Sequence, residues 1–187
     1  MPQQELLNKV IRTLEQARIG YMVTGSMASS FHGEPRSTHD IDMVVAIKET
    51  DIHQLTKVFH PPRYYLDKES MIQAIGNKDM FNLMDTKEGD KVDFWILTDE
   101  PFDQSRFARR QKEKIMGFHL QVSSPEDMIL VKLKWARLSG GSEKQFTDAL
   151  RIFEVQSKKL DMDYLEVWVR KLELEPLWRD LRARAQI

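Results

Sequence analysis

Apolar side chains at Leu6, Leu7, Val10, Ile11 and Leu14 recur at helical spacing, so the chain opens on an amphipathic helix, with Gly20 placed to end it. The period then changes. Tyr21-Met22-Val23 is a short apolar run stopping at Thr24-Gly25-Ser26, and Met27 to Phe31 supplies the next helical turns, which predicts strand, tight turn, helix. Asp40 to Ile47 is rich in β-branched residues and reads as a strand. Side chains two apart share a face, so Ile41, Met43, Val45 and Ile47 fall on one side and Asp40 and Asp42 on the other. A helix carrying Ile52, Leu55, Val58 and Phe59 follows, stopped by Pro61-Pro62. Met80 to Asp85 and Lys91 to Leu97 read as an antiparallel hairpin that turns through Thr86-Lys87-Glu88-Gly89-Asp90. Val92, Phe94 and Ile96 supply the second strand's apolar face, and Asp93 lies opposite them with Lys91 and Trp95.

Beyond Ser124-Pro125-Glu126-Asp127, which has the form of a capped helix start, the pattern is helical throughout, with a break at Gly140-Gly141. The expected organisation is an α/β domain over residues 1–123, a mixed sheet with helices on one face, and a C-terminal helical region over 124–187. A helical region of that size is marginal alone, so it is expected to pack on the first domain. Trp135, Trp168 and Trp178 fall in its apolar pattern and are expected in a core or an interface.

Composition narrows the function classes. A hydrophobic share of 41% with 30% charged residues argues against disorder and against a membrane protein. The 28 basic and 29 acidic residues leave a net charge of −1, so no global positive field is available to hold nucleic acid. The absence of cysteine excludes disulfides, thiolate metal sites and a cysteine nucleophile. No apolar run is long enough to cross a bilayer and the N-terminus lacks a secretory pattern, so a soluble, cytoplasmic protein is expected.

The feature that carries chemistry is an order of residues: Gly25-Ser26, then Asp40-x-Asp42, then Asp93, each at the end or on one face of an expected strand. Carboxylate oxygens are the hard ligands that Mg²⁺ or Mn²⁺ takes, and a third aspartate from a neighbouring strand completes such a set. The turn after the first strand leaves backbone N–H groups unpaired at a helix N-terminus, where phosphate oxygens bind. Singly, aspartates at strand edges and a Gly-Ser turn are more often structural. Together they are costly, because three carboxylates on one face repel one another unless a cation joins them. Lys91, on the face of Asp93, offers the rival account of a simple ion pair.

Thr24-Gly25-Ser26, the run Arg36-Ser37-Thr38-His39-Asp40-Ile41-Asp42 and the later Asp93 together resemble the nucleotidyltransferases of the DNA polymerase beta superfamily, in particular its small members and the AbiEii-type toxins of toxin–antitoxin pairs. Ser124 to Leu130 with Lys132 and Lys134 is similar to the helix that follows the catalytic domain in that group, so the resemblance covers residues 19 to about 155. It implies transfer of a nucleoside monophosphate from an NTP to an acceptor hydroxyl, with release of pyrophosphate. By the same resemblance, Asp40 and Asp42 would hold the metal ions and Asp93 would ligate one and orient or deprotonate the acceptor hydroxyl. Gly25 and Ser26 would bind the terminal phosphates, and Arg36 and Thr38 would project into the same cleft if the strand extends back to them. A tRNA end, a protein hydroxyl and a small molecule all remain open as acceptor, and a toxin–antitoxin partner is compatible.

Two other readings stand beside this one. A nucleotidyltransferase-like scaffold without turnover would serve as a regulatory or antitoxin-type binding protein. A metal-dependent phosphoesterase would use similar carboxylates but fits the Gly-Ser turn less well. The basic stretch Arg106, Arg109, Arg110, Lys112 and Lys114 reads as a solvated helix face, and His32, His39, His53, His60 and His119 show no ligand spacing.

Overall fold

The structure, a computed structural model, describes residues 2–35, 38, 40–115 and 117–187. Among them no helix is long and apolar enough to cross a membrane. The chain divides into two compact units, residues 1–27 with 37–122, and residues 28–36 with 123–187.

The first unit is built on a seven-stranded mixed sheet. Its strands are β1 (Gly20–Thr24), β2 (Asp40–Ala46), β3 (Tyr64–Leu66), β4 (Met80–Asp85), β5 (Lys91–Ile96), β6 (Gln111–Ile115) and β7 (Phe118–Val122), in spatial order β3-β4-β5-β2-β1-β7-β6. The helices of this unit are α1 (Pro2–Gln16), α3 (Ile52–Val58), α4 (Lys68–Asn77) and α5 (Pro101–Ala108); α2 (Gly25–His32) leaves it after its first turn. Alternation fixes the buried face of the sheet, where Tyr21, Val23, Ile41, Met43, Val45, Val92, Phe94 and Ile96 are all buried. Phe81 stacks on Phe94 there at 4.9 Å. Leu6, Leu7, Val10, Ile11 and Leu14 form the buried stripe of α1, as their spacing predicts.

Several expectations are corrected. Gly20 belongs to β1, and the turn after α1 is made instead by Arg18 at φ 56. Strands β3, β6 and β7 and helix α4 interrupt or extend stretches that carried no clear period. Lys112 and Lys114 stand on the edge strand β6, not on a helix face. The hairpin of β4 and β5 matches its expected bounds to within one residue, and Asp85 organises its base. That buried carboxylate accepts from Arg63 Nη2 at 3.1 Å and from the N–H groups of Lys87 and Glu88.

The second unit is helical: α6 (Pro125–Leu138), α7 (Glu143–Gln156), α8 (Met162–Lys171) and α9 (Glu175–Arg184), together with the body of α2. Ser124 caps α6 by accepting from the Asp127 N–H, as its sequence context predicts. A buried ion pair, Lys132 Nζ to Asp148 Oδ2 at 2.8 Å, ties α6 to α7. Trp168 and Trp178 are buried, whereas Trp135 is 45% exposed and is not a core residue.

Candidate active site

Two neighbouring strands, β2 and β5, bring the acidic residues to one face, and β1 adds Thr24 beside them. β2 and β5 run parallel with Asp42 opposite Asp93 and Asp40 opposite Lys91, while antiparallel β1 sets Thr24 opposite Asp42. Residues paired across a sheet share a face, so Thr24, Asp42 and Asp93 form one row, joined on the far side by Asn82 of β4. The row on one side of it holds Asp40, Lys91, Met84 and Tyr65; the row on the other holds Met22, Val44, Trp95 and Met80. Phe107 of α5 packs on Met22 and Val44, with Trp95 against the same cluster, so this end of the carboxylate face is closed by apolar contacts.

Gly25 begins α2 directly beyond Thr24, at φ +63. A Cβ at this position would fall 2.0 Å from Asp42 Oδ2 and 2.6 Å from Asp42 Cβ. Only glycine therefore allows the turn to close on the Asp42 carboxylate, and this close approach puts the α2 N-terminal N–H groups beside the acidic row. Ser26 is half-buried on the first turn of the same helix. Trp95 Nε1 donates a long hydrogen bond, 3.4 Å, to Asp42 Oδ1.

Asp93 is 8% exposed, and its Oδ1 is buried without a hydrogen-bond partner among the described residues. Its Oδ2 receives the Lys91 ammonium at 3.0 Å, and the same ammonium lies 3.9 Å from Asp40 Oδ1. The hydrogen bond to Asp93, with the charges of Asp93, Asp40 and Asp42, outweighs partial burial and raises the Lys91 pKa above its ordinary value. Lys91 is thus charged at neutral pH. Asp40 is the open member of the set, its side chain 58% exposed.

Thr38 does not lie on the strand, which starts at Asp40; its hydroxyl donates to the Asp40 carbonyl at 3.2 Å, and its own carbonyl accepts from Gln3 Nε2. Arg36 and His39, singled out in the sequence, lie outside the described residues. Asn82, Met84 and Tyr65 are all exposed on the carboxylate face and carry no motif that marks them; only the sheet register reveals them. Lys112 and Lys114 share this face too, by the register of β6 on β7 and β7 on β1.

The donor set suits a hard divalent cation. It is all carboxylate oxygen, two of its members stand at one register, and the orphaned Oδ1 of Asp93 is an acceptor that burial makes costly to leave unpaired. Yet among the described residues no group of three or more such side chains is drawn together in the way a metal ion requires. The cation that the carboxylates hold here is the chain's own, the Lys91 ammonium.

The chain matches no protein-family model and no curated protein. Solved structures do resemble it. The solution structure of the antibiotic-resistance factor ANT(2'')-Ia superposes with a TM-score of 0.56 at 13% identity, over 97% of this chain and 97% of that one. An antigenic nucleotidyltransferase-like protein from Paracoccidioides brasiliensis gives a TM-score of 0.52 at 17% identity, over 100% of this chain and 95% of that one. In its mixed sheet and following helices, the chain has the fold of the nucleotidyltransferase superfamily.

Proposed function

We propose that the chain is a nucleotidyltransferase that moves a nucleoside monophosphate from an NTP to an acceptor hydroxyl, using Mg²⁺ or Mn²⁺ held by Asp40, Asp42 and Asp93. The observation that carries this reading is the placement of Asp42 and Asp93 at one register, with the Gly25 turn pressed against Asp42. A bound divalent ion would neutralise negative charge on the triphosphate and on the departing pyrophosphate oxygen. The chain's own part is positioning. The Gly25-Ser26 N-terminus of α2 offers N–H donors to phosphate oxygens. Asp93, buried and aligned with Asp42, is suited to accept a proton from the acceptor hydroxyl or to orient it, since a carboxylate kept from bulk water holds its hydrogen bonds tightly. The exposed Asn82 on the same row stands where an acceptor approaching Asp93 from β4 would meet it. A tRNA end, a protein hydroxyl and a small molecule each present the required oxygen.

The deciding experiment is calorimetric titration of Mg²⁺–NTP into the wild type and into Asp40→Ala/Asp42→Ala, followed by incubation of the wild type with labelled NTPs and a cell lysate. Saturable binding lost in the double variant, with label transferred to one fraction, supports the transferase. Unchanged binding in the double variant removes these residues as ligands.

One observation favours a second reading. The ammonium of Lys91 between Asp93 and Asp40 is the arrangement expected of a nucleotidyltransferase-like scaffold that has no turnover and serves as a toxin–antitoxin or regulatory binding protein. Stoichiometric capture of a protein partner, with no pyrophosphate released from any NTP, is its signature.

A further inference from the structure

We propose that Lys91 is a tethered placeholder for the divalent cation, holding the acidic face in the metal-free protein and giving way when a metal ion binds. The inference rests on the proposed metal-ligand role of Asp40, Asp42 and Asp93.

Sheet geometry builds this arrangement. Lys91 and Asp93 lie two apart on β5 and so share a face, and the parallel register sets Lys91 opposite Asp40 on β2. The ammonium therefore reaches carboxylates of both strands, at 3.0 Å from Asp93 and 3.9 Å from Asp40. Burial makes a cation necessary there. Asp93 is 8% exposed, and a carboxylate in such a place is strongly disfavoured unless paired. Lys91 meets that need through one oxygen and leaves the other, Oδ1, without a hydrogen-bond partner. A monodentate ammonium thus satisfies the charge but not the full acceptor capacity of Asp93, whereas a divalent ion brings more charge and more coordination positions. The lysine's side chain is 31% exposed on a flexible four-carbon stem, so it can leave without disturbing the strand.

Competition between the tethered cation and a free one has a measurable sign: removing the lysine must tighten metal binding. The probe is Mn²⁺ alone, titrated by calorimetry and by electron paramagnetic resonance into the full chain, without nucleotide. Lys91→Met is expected to bind Mn²⁺ about tenfold more tightly than the wild type, the scale of one charge-assisted hydrogen bond. Its metal-free form is expected to melt below the wild type, with the gap closing at saturating Mn²⁺. Lys91→Arg keeps the charge and is expected to retain the wild-type affinity; it also guards against a failure of Lys91→Met to fold, because Lys91→Gln can then be compared with it. Equal or weaker Mn²⁺ binding in Lys91→Met or Lys91→Gln overturns the placeholder role. Asp42→Asn/Asp93→Asn separates the two levels of the reading. Binding lost there but not tightened by loss of Lys91 rejects only the placeholder, and binding retained there rejects the carboxylate site together with it.

Discussion

Gly25→Ala tests whether the turn against Asp42 is required by the site. Two costs combine at this position. At φ +63 an L-residue is disfavoured by about 1–2 kcal/mol. The added Cβ would also lie 2.0 Å from Oδ2, 2.5 Å from Cγ and 2.6 Å from Cβ of Asp42. Rotating the carboxylate out of its well costs about 0.5–1.5 kcal/mol, but Asp42 Cβ is fixed by the backbone, so β2 must shift as well. The expected total is about 1.5–3.5 kcal/mol, with the strand shift pushing it to the upper end. Gly89 provides the reference, because it has φ +77 with nothing within 4 Å of an added Cβ. Gly89→Ala therefore carries the backbone cost alone. In a chain of this length 1 kcal/mol moves the melting temperature by roughly 2–4 °C, so thermal unfolding separates the two variants. Calorimetry reads the functional half: under the proposed function Gly25→Ala is expected to lose Mg²⁺–NTP binding and Gly89→Ala to keep it. Equal melting temperatures for the two variants, with nucleotide binding intact in Gly25→Ala, would refute the idea that the turn and the carboxylate are built as one unit.

Two further predictions concern the frame that carries the site. Burial raises the Asp85 carboxyl, but Arg63 and the N–H groups of Lys87 and Glu88 outweigh it and hold the group below the usual carboxylate range. A depressed folded-state pKa contributes stability that is complete above the unfolded value of about 3.9 and is lost as pH falls through the folded one. Urea unfolding of wild type and Asp85→Asn should therefore differ at about pH 6 and converge toward pH 3; a constant gap counts against the assignment. In the helical unit, Lys132→Ala removes the ammonium that lies 2.8 Å from Asp148, and losing one partner of a largely buried ion pair costs up to about 3–5 kcal/mol. Lys132→Met combined with Asp148→Leu should recover most of that loss in thermal unfolding.

Alternation in Asp40 to Ala46 and in Lys91 to Ile96 made the faces of β2 and β5 legible, because side-chain direction in a strand depends only on parity. Parity does not give register. β2 and β5 pair in parallel across α3, β3, α4 and β4, so the alignment of Asp42 with Asp93 is set by tertiary packing and no local pattern encodes it. Among the elements missed, β3 and β6 are short or bury little, whereas β7 and α4 bury only two side chains each, Leu120 and Val122 and then Met71 and Ala74, too few to set a period. β3 has only three residues, and β6, Gln-Lys-Glu-Lys-Ile, is a charged edge strand whose polar side chains protect an open edge but erase the apolar period. Thr38 illustrates the opposite error, a parity argument carried past the end of the strand.

Lys91 shows why the same spacing rule yields two chemistries. Its place two residues before Asp93 was readable as an ion pair, but only the register with Asp40 turns it into a cation held between two strands. A lysine serving structure alone gains most when its partner's oxygens are all satisfied, since an unpaired buried acceptor costs about as much as a hydrogen bond contributes. Asp93 retains a buried, unpartnered Oδ1. Gly25, meanwhile, gives up side-chain packing and accepts a left-handed backbone so that the turn can approach Asp42. Under the proposed function, a doubly charged ion would satisfy the orphaned Oδ1, and the turn that only glycine allows would bring the α2 N–H groups to a phosphate. Local costs that vanish on binding are what a ligand site, rather than a stabilising ion pair, is expected to show.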